Sequence, residues 1–124
     1  MDSAIVMDVD GTLCDIKGPD EDYSDVKPKP LVVDRLREYK QRGYRIVLYT
    51  SRNMRSFNKN LGEINAKTLP TLVDWLEEHD IPHDEIHMGK PWAGPKGFYV
   101  DDRTIRPDEF ISMNEEQINQ LLVD

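Results

Sequence analysis

Asp8 and Asp10 follow the apolar run Ala4-Ile5-Val6-Met7, and a second acidic pair, Asp101-Asp102, follows Phe98-Tyr99-Val100. Thr50 closes the run Ile46-Val47-Leu48-Tyr49, and Lys90 comes one glycine after Ile86-His87-Met88. A carboxylate at the end of an apolar strand is costly to bury unless something cationic pairs with it. Several carboxylates in one small space raise one another's pKa, so they cannot all ionise without a cation. A hard divalent ion resolves this, and Mg2+ takes a few carboxylates while keeping positions for water and phosphate. Lys90 and the Thr50 hydroxyl would then serve the remaining phosphate oxygens. Taken singly, each residue has an ordinary reading: Asp10-Gly11 as a turn, a strand-end threonine as a cap, a loop lysine as a solvated charge. Together and in this order they point to phosphoryl chemistry.

Such groups meet only if the elements carrying them end in one place. The runs Ala4 to Met7, Ile46 to Leu48, Ile86 to Met88 and Phe98 to Val100 read as four short buried strands. Pro30 suits a first helical position, and Leu31, Val32, Leu36 and Tyr39 recur at helical spacing until Gly43. Thr68 is the expected N-cap of a second helix through Leu72, Val73 and Leu76 to about His79, after a loop or irregular helix from Arg52 to Lys67. Asn114 and Gln117 predict a capping box opening a last helix through Leu121 and Leu122. Cys14 to Pro30, with three prolines and many acids, reads as a flap, and Lys90 to Gly97 as a loop. Strands alternating with helices imply an α/β domain with a parallel sheet covered on both faces. Ligands of such sheets bind outside the carboxyl ends of the strands, at the switch point of strand order. With the first strand central, the four loaded strand ends converge there.

These residues resemble the haloacid dehalogenase (HAD) superfamily of phosphotransferases. Asp8-Val9-Asp10-Gly11-Thr12, Thr50, Lys90 and Asp101-Asp102 match its four motifs in order, across nearly the whole chain. The resemblance implies a three-layer α/β/α Rossmann-like core with a mainly parallel sheet, one domain over residues 1–124. The gap after the first motif holds only a flap, and that between Thr50 and Lys90 one loop and one helix, so no cap domain is expected. The stretches Thr50-Ser51-Arg52-Asn53-Met54-Arg55, Gly89-Lys90-Pro91-Trp92 and Tyr99-Val100-Asp101-Asp102-Arg103 with Ile105-Arg106-Pro107 look like small phosphatases of bacterial capsular-polysaccharide gene clusters.

By that similarity, Asp8 is the nucleophile that forms an aspartyl-phosphate, and Asp10 protonates the leaving oxygen and then activates water. An aspartate at position 10 favours a phosphate monoester as substrate. Thr50 and Lys90 bind and neutralise the transferring group, and Mg2+ is held by Asp8, Asp10 (through its carbonyl) and Asp101, with Asp102 a ligand through water or an orienter. Ser51, Arg52, Arg55 and Trp92 are candidate substrate-binding residues. For Arg52, Arg55 and Lys59 a solvated loop is an equal reading, and for Trp92 loop packing.

The chain has 124 residues, 38% hydrophobic and 32% charged, enough for one core. Its formal net charge of −8 argues against binding nucleic acid or an anionic membrane surface through bulk charge. No apolar run approaches the roughly 20 residues of a membrane span, and no signal-peptide layout opens the chain. One cysteine, Cys14, excludes an internal disulfide, and a reducing cytoplasm is the expected compartment. His79, His83 and His87 are spaced by four, but Pro82 prevents them from lining one helical face as a zinc site would need. The resemblance implies hydrolysis of a small phosphorylated substrate, a sugar phosphate or polysaccharide precursor, at a capless site that is open or closed by a neighbouring subunit of a homo-oligomer. The basic block from Lys27 to Lys59 sustains a polynucleotide-end phosphatase as an alternative. A phospho-acceptor signalling module of the response-regulator type is a second, disfavoured because Lys90 precedes the acidic pair.

Overall fold

Three parallel strands, β1 (Ala4–Met7), β2 (Arg45–Thr50) and β3 (Glu85–Met88), make one sheet in the order β1-β2-β3. The register sets Met7 beside Leu48, and Thr50 beside Met88, so the three carboxyl ends lie together. The computed structural model describes residues 3–123 and separates into two compact units, one ending at Trp92 and one beginning at Ala93. The first unit holds the sheet, a 3-10 turn at Tyr23–Asp25, α1 (Pro30–Gln41) and α2 (Leu61–Glu78). The second holds α3 (Pro107–Ser112) and α4 (Glu115–Leu121). The α/β class and the parallel pairing are those the sequence implied.

Both crossovers of the first unit step the same way across the sheet, and right-handed crossovers then place α1 and α2 on one face. Burial follows that geometry. Ile46, Leu48 and Met7 are buried, against Val32, Val33, Leu36 and Tyr39 of α1 and Leu72, Trp75 and Leu76 of α2 in the same core. The alternate residues face the other way: Val6 is 63% exposed, and Arg45 pairs with Glu85 across β2 and β3 at 2.7 Å. Val47, level with Val6 on that second face, is buried.

α1 starts at Pro30, as its sequence predicts, and stops before Gly43, whose φ of 98° a side chain would strain. α2 differs from expectation. It begins at Leu61, where the Asn60 side chain accepts from the Glu63 N–H at 3.1 Å, so Asn60 and not Thr68 is the N-cap. Thr68 lies inside the helix, buried, donating to Asn53 Oδ1 at 2.7 Å. The expected irregular stretch shrinks to residues 51–60, a series of turns with left-handed backbone at Asn53, Asn58 and Lys59.

The fourth strand is not formed. Residues 98–100 have no regular structure, and Phe98 and Val100 are 80% and 88% exposed. A three-residue β-prone segment has strand character only when an edge is there to receive it. Among the described residues the sheet has three strands, with β2 between β1 and β3. Within the second unit Phe110 is buried, and Asn114 and Gln117 form the expected reciprocal cap, both bonds at 2.8 Å.

Candidate active site at the end of β1

β1 ends in a tight turn. The Val9 carbonyl accepts from the N–H groups of Thr12, Leu13 and Cys14, and Gly11 (φ 85°) donates to the Cys14 carbonyl at 2.8 Å. The turn buries Val9, Leu13 and Cys14 and leaves Asp8 and Asp10 half-buried at the surface of the first unit. Apolar residues thus anchor the loop while the alternating carboxylates face out.

Asp8 is held from two sides. Thr12 Oγ1 donates to its Oδ2 at 3.1 Å, and Lys90 Nζ reaches its Oδ1 at 3.4 Å. Lys90 is positioned by its own N–H, which donates to the Thr50 carbonyl at 3.0 Å and ties the loop after β3 to the end of β2. Thr50 is buried, and its hydroxyl accepts from the Arg52 N–H at 3.0 Å. Lys90 thus links Asp8, through its side chain, with Thr50, through its backbone N–H.

Asp10 has a partner that spacing alone left undecided. Arg52 grips it through Nε and Nη2, at 3.1 and 2.8 Å. The Arg52 side chain is fully buried, so the solvated-loop reading fails for this residue. Tyr23 of the flap lies over the guanidinium, 4.0 Å from ring centroid to Cζ. Burial first, and then the Asp10 charge, push the Tyr23 hydroxyl pKa up, so the ring is a neutral lid on the ion pair. Nothing in the spacing of Tyr23 announced this role; it is the one aromatic residue of an otherwise polar flap. Thr12 is likewise a functional contact visible beforehand only as part of its motif.

The flap is pinned at its base. Asp15 N–H donates to the Lys27 carbonyl and Lys29 N–H to the Leu13 carbonyl, while the Trp75 indole donates to the Val26 carbonyl at 2.8 Å. Cys14 is wholly buried. Burial and the neighbouring Asp10 charge push its thiol up to about 12, so it remains protonated and is no thiolate ligand.

Of the remaining candidates, Ser51 is half-buried and opens the turn after β2. Arg55 is exposed and stands over the Trp92 ring, 5.3 Å from its centroid. Trp92 is 45% exposed, so loop packing does not hide it. Asp101 and Asp102 belong to the second unit and are exposed; Asp101 Oδ1 accepts from the Arg103 N–H at 2.7 Å. Among the described residues no group of three or more His, Cys, Asp or Glu side chains is gathered closely enough to hold a metal ion. The histidines are dispersed: His83 contacts the Ile81 carbonyl, His79 the Trp75 ring and His87 Glu85. No helix among the described residues is long and apolar enough to cross a membrane.

Asp8 and Asp10 offer hard oxygen donors with the cations Lys90 and Arg52 beside them. That donor set suits Mg2+, which needs only one or two carboxylates besides phosphate and water.

A family profile described as haloacid dehalogenase-like hydrolase matches residues 5–75, and the chain belongs to that family. Among solved structures it is similar to a crystal structure of a target protein from Vibrio cholerae. Identity is 49% with a TM-score of 0.92, over 97% of this chain and 96% of that one. A chain of the Pnkp1/Rnl/Hen1 complex shares the fold at 22% identity, with a TM-score of 0.53 over 90% of this chain and 34% of that one. No curated protein matches the chain.

Proposed function

We propose that the protein is a Mg2+-dependent phosphatase that hydrolyses a phosphate monoester through an aspartyl-phosphate on Asp8. The observation that carries this reading is Asp8 itself: a partly exposed carboxylate held by Thr12 and Lys90, beside the buried Thr50. An Asp8 oxygen attacks phosphorus and the ester oxygen departs. Lys90 offsets the charge of Asp8 and of the approaching phosphoryl group, and the Thr50 hydroxyl, already accepting from Arg52 N–H, has its proton to donate to a phosphoryl oxygen. Asp10 gives a proton to the leaving oxygen and takes one from the water that then cleaves the acyl phosphate. Both Asp10 oxygens are engaged by Arg52, so Asp10 must turn one of them toward the substrate to act.

Mg2+ would be held by the Asp8 carboxylate and the Asp10 carbonyl, with Asp101 and Asp102 as further carboxylates, and would supply charge neutralisation at phosphorus. Ser51 follows Thr50 directly, Trp92 follows Lys90 by two residues, and Arg55 stands over the Trp92 ring, which supports all three as substrate-binding residues. An exposed indole beside a guanidinium suits a sugar carrying an anionic group, which supports a sugar phosphate or polysaccharide precursor as substrate. Hydrolase family membership and the motif order both count against a phospho-acceptor signalling module.

The test is phosphate release from a panel of sugar phosphates with Mg2+ or with EDTA. Turnover should require Mg2+ and fall by about 10³-fold or more in Asp8→Asn. Normal turnover in Asp8→Asn would overturn the mechanism. Preference for an end-phosphorylated oligonucleotide, weakened steeply by salt, would move the substrate assignment to nucleic acid.

A further inference from the structure

The glycine that opens the Lys90 loop is met by a leucine that the core does not take up. Gly89 stands between β3 and Lys90 with a φ of 86°, in the left-handed region, and turns the chain out of the strand. It has no side chain of its own to hold it. Leu61 takes that place: its Cδ2 lies 2.6 Å from where a Cβ on Gly89 would stand. Leu61 is 48% exposed, whereas Ile64, about one turn further along α2, is completely buried. Ile64 serves the core, and Leu61 serves the loop.

The place of Leu61 is fixed by its own neighbours. It is the first residue of α2, directly after the Asn60 cap, and Ile64, Leu72, Trp75 and Leu76 bury that helix. The chain arrives through Asn58 and Lys59, whose φ of 49° and 63° are both left-handed. Non-glycine residues persist there only where the surrounding structure over-determines them. Thr68, inside α2, donates to Asn53 at 2.7 Å and ties the same turns to the helix. Leu61 is a fixed stop, and Gly89 is the pliable partner.

We propose that Leu61 is a positioning residue for Lys90. The Lys90 N–H bonds the Thr50 carbonyl at 3.0 Å, and its Nζ reaches Asp8 Oδ1 at 3.4 Å. A lysine is a point charge on a flexible stem, so where its ammonium rests depends on where its backbone is held. The Thr50 bond holds Lys90 itself, and the Leu61 methyl holds the residue before it, which stops the loop from swinging about Gly89. Without that methyl the freest residue of the chain becomes a hinge, and the ammonium drifts from Asp8. The kinetic consequence rests on the phosphatase reading of the site; the contact and its hold on the loop do not.

Leu61→Ala should lower kcat by about 10-fold, since a displacement of about 1 Å at a charged catalytic group is enough. Its urea midpoint should stay near that of the wild type, because Leu61 is half exposed. Leu61→Met, an apolar chain of similar reach, should restore most of the rate. A wild-type kcat in Leu61→Ala would overturn the proposal. The Lys90→Met background separates positioning from general loosening: there Leu61→Ala should change the remaining turnover by less than about twofold. A drop of about 10-fold in that background too would show that Leu61 acts elsewhere, and would overturn the assignment. Should Leu61→Ala not fold, Leu61→Val, one carbon shorter, is read in the same way with a loss of about threefold. Hydrogen exchange at the Lys90 N–H gives a readout independent of turnover. In Leu61→Ala it should quicken by about 10-fold while core amides such as that of Leu48 keep their rates. A wild type that releases no phosphate, with this amide still quickened in the variant, would sink the phosphatase reading and leave the positioning standing. An unchanged Lys90 amide would sink the positioning.

Discussion

Arg52 is the residue whose environment most changes how the site is understood. Its side chain is fully buried, its fork clasps Asp10, and its Nη1 is buried with no hydrogen-bond partner among the described residues. An arginine so placed is a positioning residue: it fixes the rotamer of the proton-transfer carboxylate. Arg52→Met should lower kcat by about 10–100-fold with little change in KM, because misplacing Asp10 by about 1 Å is enough. It should also cost about 1–3 kcal/mol in urea unfolding, since Asp10 loses two charge-assisted bonds. Arg52→Lys should recover stability more than kcat, because a lysine cannot reproduce the two-point grip. The sequence showed that Arg52 follows the Thr50 strand, and so placed it near the site. It could not show burial, because the lid is Tyr23, distant along the chain. Asp8, Asp10, Thr50 and Lys90 were legible for the opposite reason, since each follows an apolar run within three residues.

At the level of elements, the caps and the sheet register carry the predictions. Asn60→Ala removes the acceptor for Glu63 N–H and should cost about 1 kcal/mol, read as a lower urea midpoint at unchanged slope. Asp84 joins three elements: it pairs with Lys40 of α1 at 2.7 Å and accepts from Ile46 N–H of β2 just before β3 begins. The Lys40 hydrogen bond, and then that of Ile46, hold its pKa below the usual 3.8. A depressed carboxylate stabilises the fold above its unfolded value and loses that contribution as pH falls through the folded one. Asp84→Asn should therefore be destabilising at neutral pH, while the difference from wild type shrinks below about pH 3.8 in unfolding titrations. α2 was half legible. Leu72, Trp75 and Leu76 repeat clearly, but Thr68 occupies a buried position, Pro70 sits inside the helix, and Gly62 follows its first residue. These three hid the first two turns. Residues 98–100 were read correctly as strand-like in composition and wrongly as a strand in this sheet, because composition fixes preference and only a neighbouring edge fixes pairing.

For the whole molecule, the formal charge of −8 is a net of both signs, with 24 acidic against 16 basic residues. Mg2+ that binds the folded chain alone should raise its melting temperature, by about 2.7 kcal/mol of stability at 100 times Kd, and Asp8→Asn should blunt the rise. The family, the α/β class and the site motifs were readable from one sequence because each is local in the chain. One last property follows from the two tryptophans. Trp75 is 1% exposed and bonded to the flap, whereas Trp92 is 45% exposed beneath Arg55. The chain therefore carries two intrinsic emitters in opposite surroundings. Iodide should quench Trp92 and spare Trp75, so a ligand beside Arg55 registers as lost quenching, and a lifting flap as a red shift of the protected band.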